Sequence, residues 1–158
     1  MNNNTFILFC DGGSRGNPGP SACGYVVFEL LTNIELTKNT KFDDVKNLID
    51  TAKIVIEKAD FVGHSTTNNV AEWSGLTHGL SEIIAKFGVD NEVLVCMDSE
   101  LVVKQTLGIY KVKQPHLMPF LQDFKSLQAQ LNKVVVSHIY RENNKLADAL
   151  VNQCLDKV

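Results

Sequence analysis

Four acidic residues stand where packing has no use for an acid. Asp11 closes the apolar run Thr5 to Cys10, and Asp98 closes the apolar run Glu92 to Met97. Glu72 opens a helical pattern, and Asp148 lies within the last one, beside Leu146 and Ala149. A carboxylate at the end of a core strand is costly unless something pairs with it. Carboxylates that converge without basic partners raise one another's pKa unless a divalent cation joins them. All-oxygen ligation suits Mg²⁺ or Mn²⁺ rather than zinc. A pair of such ions roughly 4 Å apart can activate a water on one and steady the leaving oxygen on the other, in an in-line displacement at phosphorus. No nucleophile with its base, Walker-type phosphate loop or H-E-x-x-H pair is present. The residue types therefore point to metal-dependent phosphodiester hydrolysis. Each acid also has a plainer use when taken alone. Asp11 could initiate a turn, Glu72 complete a capping box, Asp98 cap the helix after it, and Asp148 sit on a solvated helix face.

The elements that must position these acids follow from hydrophobic periodicity. Strands are expected at Thr5 to Cys10, Cys23 to Leu31, Lys53 to Val62, Glu92 to Met97 and Val134 to Tyr140. The stretch Asp11 to Pro20 (DGGSRGNPGP) reads as a specified tight turn. Ser65 to Asn69 caps a helix whose stripe of Trp73, Leu76, Leu80, Ile83, Ile84 and Phe87 has helical period. Ser99 to Leu107 reads as a short helix. Met118 to Leu131 is amphipathic, with Leu121, Phe124, Leu127 and Leu131 inward. Asn144 to Leu155 closes the chain as a helix with Leu146, Ala149, Leu150 and Cys154 inward. Between the second and third strands, residues 32–51 are polar and weakly patterned, with a short helix allowed by Phe42, Val45, Leu48 and Ile49. Three meandering strands followed by strands joined through helices predict an α/β fold, a mixed sheet with helices on its faces.

At 158 residues the chain is expected to be one domain, spanning 1–158, with an enlarged connection at about 32–51. With 44% apolar and 21% charged residues it has an ordinary globular composition. No apolar run has the length of a membrane span, and the first residues lack a signal-like pattern, so an intracellular, cytoplasmic protein is expected. Cys10, Cys23, Cys96 and Cys154 form no C-x-x-C pair and read as packed, reduced thiols, with no zinc expected. The net charge of −3 argues against a bulk electrostatic clamp on nucleic acid and for weak, metal-assisted binding.

Four stretches resemble the signatures of type 1 ribonuclease H. They are D-G-G-S-R-G-N-P-G-P at Asp11 to Pro20, T-N-N-V-A-E-W at Thr67 to Trp73, D-S-E-L-V-V-K-Q at Asp98 to Gln105, and N-K-L-A-D-A-L-V-N at Asn144 to Asn152. They occur in the family's order and cover most of the chain. With Y-K-V-K at Tyr110 to Lys113, the chain is similar to the shorter archaeal and bacterial form that lacks a basic protrusion. The resemblance implies a ribonuclease H-like fold, a five-stranded sheet of order 3-2-1-4-5 with helices on both faces. It implies an endoribonuclease, a hydrolase that cuts the RNA strand of an RNA/DNA hybrid with two Mg²⁺ ions, or Mn²⁺, leaving 5′-phosphate and 3′-hydroxyl ends. Asp11, Glu72, Asp98 and Asp148 match the family's metal-binding catalytic carboxylates. Asn17, Asn68 and Asn69 match positions that hold the hybrid's minor groove, and Ser14 and Ser99 lie at contact positions. Amides suit that task because they can both donate to and accept from 2′-hydroxyls. Arg15, Lys104, Lys111, Lys113 and Arg141 are candidates for phosphate contacts.

Three departures qualify the resemblance. Many members carry a mobile histidine in the loop before the last acid, where this chain reads Arg141-Glu142-Asn143-Asn144. His138 belongs to the fifth strand, so it is a candidate auxiliary residue alongside Arg141 and Glu142. The absent protrusion implies weak, salt-sensitive hybrid binding. The 32–51 connection is expected at the sheet end opposite the Asp11 turn, as a surface insertion or a docking place for a protein partner. A monomer is expected. Cleavage of double-stranded RNA or DNA junctions on the same fold, and a non-catalytic hybrid-binding module, are the competing functions.

Overall fold

A computed structural model describes residues 4–158. Its five strands form one sheet in the order β3-β2-β1-β4-β5. They are β1 (Asn4–Ser14), β2 (Gly19–Glu29), β3 (Lys53–Thr66), β4 (Asn91–Met97) and β5 (Lys133–His138). The first three pair antiparallel as a meander, whereas β1–β4 and β4–β5 are parallel. The helices are α1 (Phe42–Ile49), α2 (Asn68–Phe87), α3 (Glu100–Thr106), α4 (Met118–Gln130) and α5 (Lys145–Asp156). Order and class agree with the sequence expectation. Among the described residues no helix is long and apolar enough to cross a membrane.

The central strands are apolar at consecutive positions because both faces of the sheet are covered. Phe6, Leu8 and Cys10 of β1 face α2, α3 and α4, packing with Trp73, Leu76, Leu80 and Phe124. Ile7 and Phe9 face the other way, with Val26, Leu94, Leu36, Val45 and Ala147. Burying each such side chain contributes about 1.5–3 kcal/mol before entropy is counted.

Three expectations change. The first strand does not stop at Cys10. It runs on through Asp11-Gly12-Gly13-Ser14, each paired with β2, and the turn is confined to residues 15–18. Glycine read as turn punctuation is here a strand glycine, placed where another backbone comes close. A Cβ on Gly12 would lie 2.1 Å from the Ala71 carbonyl carbon, and one on Gly75 would lie 2.7 Å from the Asp11 carbonyl oxygen. These two glycines let α2 seat directly on β1.

In α5 the inward residues are Ala147, Val151 and Leu155, while Leu146 is 48% exposed and Ala149 is exposed. The helix is rotated relative to expectation because Ala147 and Leu150 must lie over Gly24 of β2.

The third change concerns residues 32–51. The connection does leave β2 at the expected end, where Glu29 pairs with Phe6 and Lys53. It is not a surface insertion, however. α5 lies over β1, β2 and β3, and the connection packs on the same face with Leu94 of β4 and Val135 of β5. Leu36 and Val45 are fully buried, and the Phe42 N–H donates to Ser137 Oγ at 3.2 Å. The Phe42 ring meets Phe9 edge-on, and Lys133 Nζ donates to the Leu36 carbonyl. α1 therefore turns its apolar side inward.

Candidate active site

Continuing the β1–β4 register two residues beyond the Phe9–Cys96 pair brings Asp11 and Asp98 side by side at the strand ends. From there one strand leaves toward β2 and the other into α3, the kind of sheet edge where open α/β folds bind ligands. α2, held close by Gly12 and Gly75, brings Glu72 over this edge, and the first turn of α5 brings Asp148. All four acids line one open cleft of about 1070 Å³.

The plainer uses of two of these acids do not survive the geometry. Thr67 caps α2, its hydroxyl accepting from the Val70 N–H, and the capping-box position three residues on is Val70 itself, not Glu72. Ser99, not Asp98, caps α3, accepting from the Val102 N–H. Among the described residues none of the four acids forms an ion pair. Burial, then the Asp98 charge, raises the Asp11 carboxyl from 3.8 to about 8. Asp148 and Glu72 add to this, and the Gly12 N–H opposes it. Burial raises Glu72 from 4.5 to about 7, with Asp98 adding and a hydrogen bond from Ser99 opposing. Acids that cannot shed their charge onto a basic neighbour are the donor set a hard divalent cation requires.

The amide-rich loops are knitted to one another. The Ser14 N–H donates to Asn68 Oδ1 at 2.8 Å, and the Asn68 N–H donates to Asn17 Oδ1 at 3.2 Å. Both amide oxygens are thus committed within the protein. Among the described residues the Nδ2 groups of Asn17 and Asn68 donate to nothing, so both are free to donate to a ligand. Asn69 and Ser14 line the same cleft.

Of the basic candidates, Arg15 is paired with Asp156 and Lys104 with Glu100, both at the surface. Lys111 and Lys113 lie in a neighbouring groove with Tyr110 and Gln114. His138 is the last residue of β5, exposed, at the cleft wall with Arg141.

Sequence reasoning missed three features here. Asn144 is buried, and its Nδ2 donates to the Cys10 carbonyl at 3.0 Å and to Asp98 Oδ1 at 3.2 Å. It ties the loop before Asp148 to both acid-bearing strands. Two acceptors on one amide fix its orientation, because the flipped amide would set oxygen against oxygen. Its place directly before α5 was the available signal. His116 and Gln114 also line the cleft, from the connection between α3 and α4, where no periodicity marks them. Lys41 was passed over as well; it stands beside His138 and Tyr140.

A sheet of order 3-2-1-4-5 with four converging carboxylates defines a ribonuclease H-like nuclease fold. The family model described as reverse transcriptase-like matches residues 48–154. The RNase H1 structure from the halophilic archaeon Halobacterium salinarum superposes with a TM-score of 0.78 at 31% identity, over 98% of this chain and 99% of that one. The N-terminal RNase H domain of a Mycobacterium tuberculosis bifunctional protein gives 0.79 at 34% identity, over 98% and 95%. LC11-RNase H1, solved in complex with an RNA/DNA hybrid, gives 0.76 at 36% identity, over 96% and 97%. The chain belongs to the type 1 ribonuclease H family, whose members depend on divalent metal. It spans 35% of the length of the mycobacterial relatives it matches.

Proposed function

We propose that the protein is an endoribonuclease that hydrolyses the RNA strand of RNA/DNA hybrids, leaving 5′-phosphate and 3′-hydroxyl ends. The observation that carries this reading is the cleft itself. Four carboxylates, without a basic partner among the described residues, sit beside a loop whose two asparagines keep their Nδ2 donors free. Its relative LC11-RNase H1 takes such a hybrid.

The residues divide the work by chemistry. Asp11, Glu72, Asp98 and Asp148 hold two Mg²⁺ ions, with Mn²⁺ as a substitute. Bound there, the ions supply an activated water and charge neutralisation at the leaving oxygen. Asp11 and Asp98 would be the rigid part of that donor set, because adjacent parallel strands hold them while α2 and α5 bring the other two acids. Asn144 holds the Asp98 carboxylate in its orientation by donating to it. Asn17, Asn68 and Asn69 bind the hybrid's minor groove, where donors meet 2′-hydroxyl oxygens and base acceptors. Ser14 supports that contact through its own bond to Asn68, and Ser99 holds α3 in place beside Glu72. His138 and Arg141, at the cleft wall, are auxiliary groups that help the cleaved phosphate leave. One copy of the chain, acting as a single domain, contributes all four acids, so a monomer suffices.

The test uses a labelled hybrid with Mg²⁺, Mn²⁺ or EDTA, for the wild type and Asp98→Asn. Metal-dependent cutting of the RNA strand, reduced about 10²–10³-fold by the substitution, is expected at the scale of losing a preorganised group. Parallel double-stranded RNA and DNA junctions should remain intact. No cutting in either metal, with hybrid binding retained, would leave only a binding module.

A further inference from the structure

The cysteines carry no metal-binding spacing in sequence, yet the fold gives one of them the neighbours such a site requires. Cys23 of β2 pairs across the sheet with Asp60 of β3, and α2 lays His78 over both. The thiol, one carboxylate oxygen and one ring nitrogen all lie within 4.8 Å of one another. We propose that Cys23, Asp60 and His78 form a second cation site, for a borderline-soft divalent transition ion such as Zn²⁺, separate from the four-carboxylate cleft. This does not rest on the nuclease reading.

The distances fit the ion. Tetrahedral zinc with sulfur at about 2.3 Å and nitrogen or oxygen at about 2.0–2.1 Å sets the S···N separation near 3.5 Å and N···O near 3.3 Å. Here Cys23 Sγ lies 3.7 Å from His78 Nδ1, and Nδ1 lies 2.9 Å from Asp60 Oδ2. Seating the ion closes the first by a few tenths of an ångström. It opens the second by a similar amount, as the cation takes the place of the shared proton.

The donor set selects the ion class. One sulfur, one imidazole nitrogen and one carboxylate oxygen suit Zn²⁺ or Co²⁺, while Mg²⁺ is held by oxygen. An outer contact is already in place, since the Tyr25 hydroxyl donates to Asp60 Oδ2 at 2.7 Å and fixes the carboxylate. The His78 side chain is 44% exposed, which gives the ion an entry path and leaves the fourth position for water. Cys23 is fully buried, and an ion bound there takes the place of its thiol proton.

Once bound, the ion ties edge strand β3 to β2 and to α2. That helix carries Glu72, Asn68 and Asn69, so the site clips the scaffold of the cleft without entering it.

The test is a Co²⁺ titration of the full metal-stripped chain at about pH 8 in excess Mg²⁺, which fills the oxygen sites. Expected is a thiolate-to-metal charge-transfer band saturating at one equivalent, with visible bands of tetrahedral intensity, both displaced by Zn²⁺. Cys23→Ser should abolish the charge-transfer band, His78→Gln should weaken binding at least about tenfold, and Asp98→Asn should leave it unchanged. Zn²⁺ should raise Tm of the wild type and not of His78→Gln. A wild type without the band, or a band that survives Cys23→Ser, overturns the proposal. His78 lies at the surface, so its variant decides the question if Cys23→Ser does not fold.

Discussion

Replacing Asp11 by asparagine should abolish cleavage and yet stabilise the metal-free protein. Asparagine keeps the size of the side chain and can still accept from the Gly12 N–H, which donates to Asp11 Oδ1 at 2.9 Å. It removes a charge that the cleft holds against burial and three like neighbours. The Asp11 carboxyl is raised from 3.8 to about 8. At pH 7 most of the acid escapes its charge by keeping a proton, and at about 1.4 kcal/mol per pH unit that binding costs the fold about 4 kcal/mol. The cleft is open to water, and its other acids can relax, so about 2 kcal/mol is the expected gain. The sign follows from the direction of the shift. A carboxyl raised on folding imposes no penalty below its unfolded value, and the penalty grows as pH rises toward 8. The stability gap between variant and wild type should therefore be near zero at about pH 4 and widest near pH 8. Urea unfolding in EDTA at several pH values measures it. Adding Mg²⁺ should narrow or reverse the gap, because the wild type gains more from the ions. An Asp11→Asn protein that is no more stable than wild type near pH 8 in EDTA would refute this electrostatic reading of the cleft. So would a gap that does not change with pH.

Other perturbations test the scaffold. Gly75→Ala puts a methyl 2.7 Å from the Asp11 carbonyl oxygen and must lift α2 from β1. About 1–3 kcal/mol of stability and on the order of 10²-fold in kcat should be lost as Glu72 and Asp11 separate, read by denaturation and hybrid cleavage. Leu36→Ala should cost about 2–5 kcal/mol, because that side chain is fully buried in the second core; a cost under about 0.5 would return the connection to the surface. His138→Ala should lower kcat by roughly tenfold or less while leaving stability within about 0.5 kcal/mol, since the side chain is exposed. A loss as deep as that of Asp98→Asn would make His138 part of the chemistry.

Local pattern alone was enough to pick out the acids, the elements and their order. Strands and helices announce themselves through local periodicity, and each acid stood out against an apolar run that did not need it. The family signatures added which acids act together. Tertiary structure decided what depends on residues far apart in the chain. Asp11 and Asp98 become neighbours only through the β1–β4 register. Glu72 reaches them only because Gly12 and Gly75 remove the Cβ atoms that would hold α2 away, although Gly12 read locally as part of a turn. The amide oxygens of Asn17 and Asn68 looked free and are spent on backbone N–H groups. Residues 32–51 looked like surface because the apolar positions are few, and Leu36 and Val45 are buried because α5 lies over β1 to β3 and leaves Leu94 and Val135 to be covered by the connection. Cys23, Asp60 and His78, scattered in sequence, meet because an antiparallel pairing and a helix crossing converge there. Periodicity tells each residue which side of its own element it occupies. Register and the closeness of approach between elements decide whom it meets.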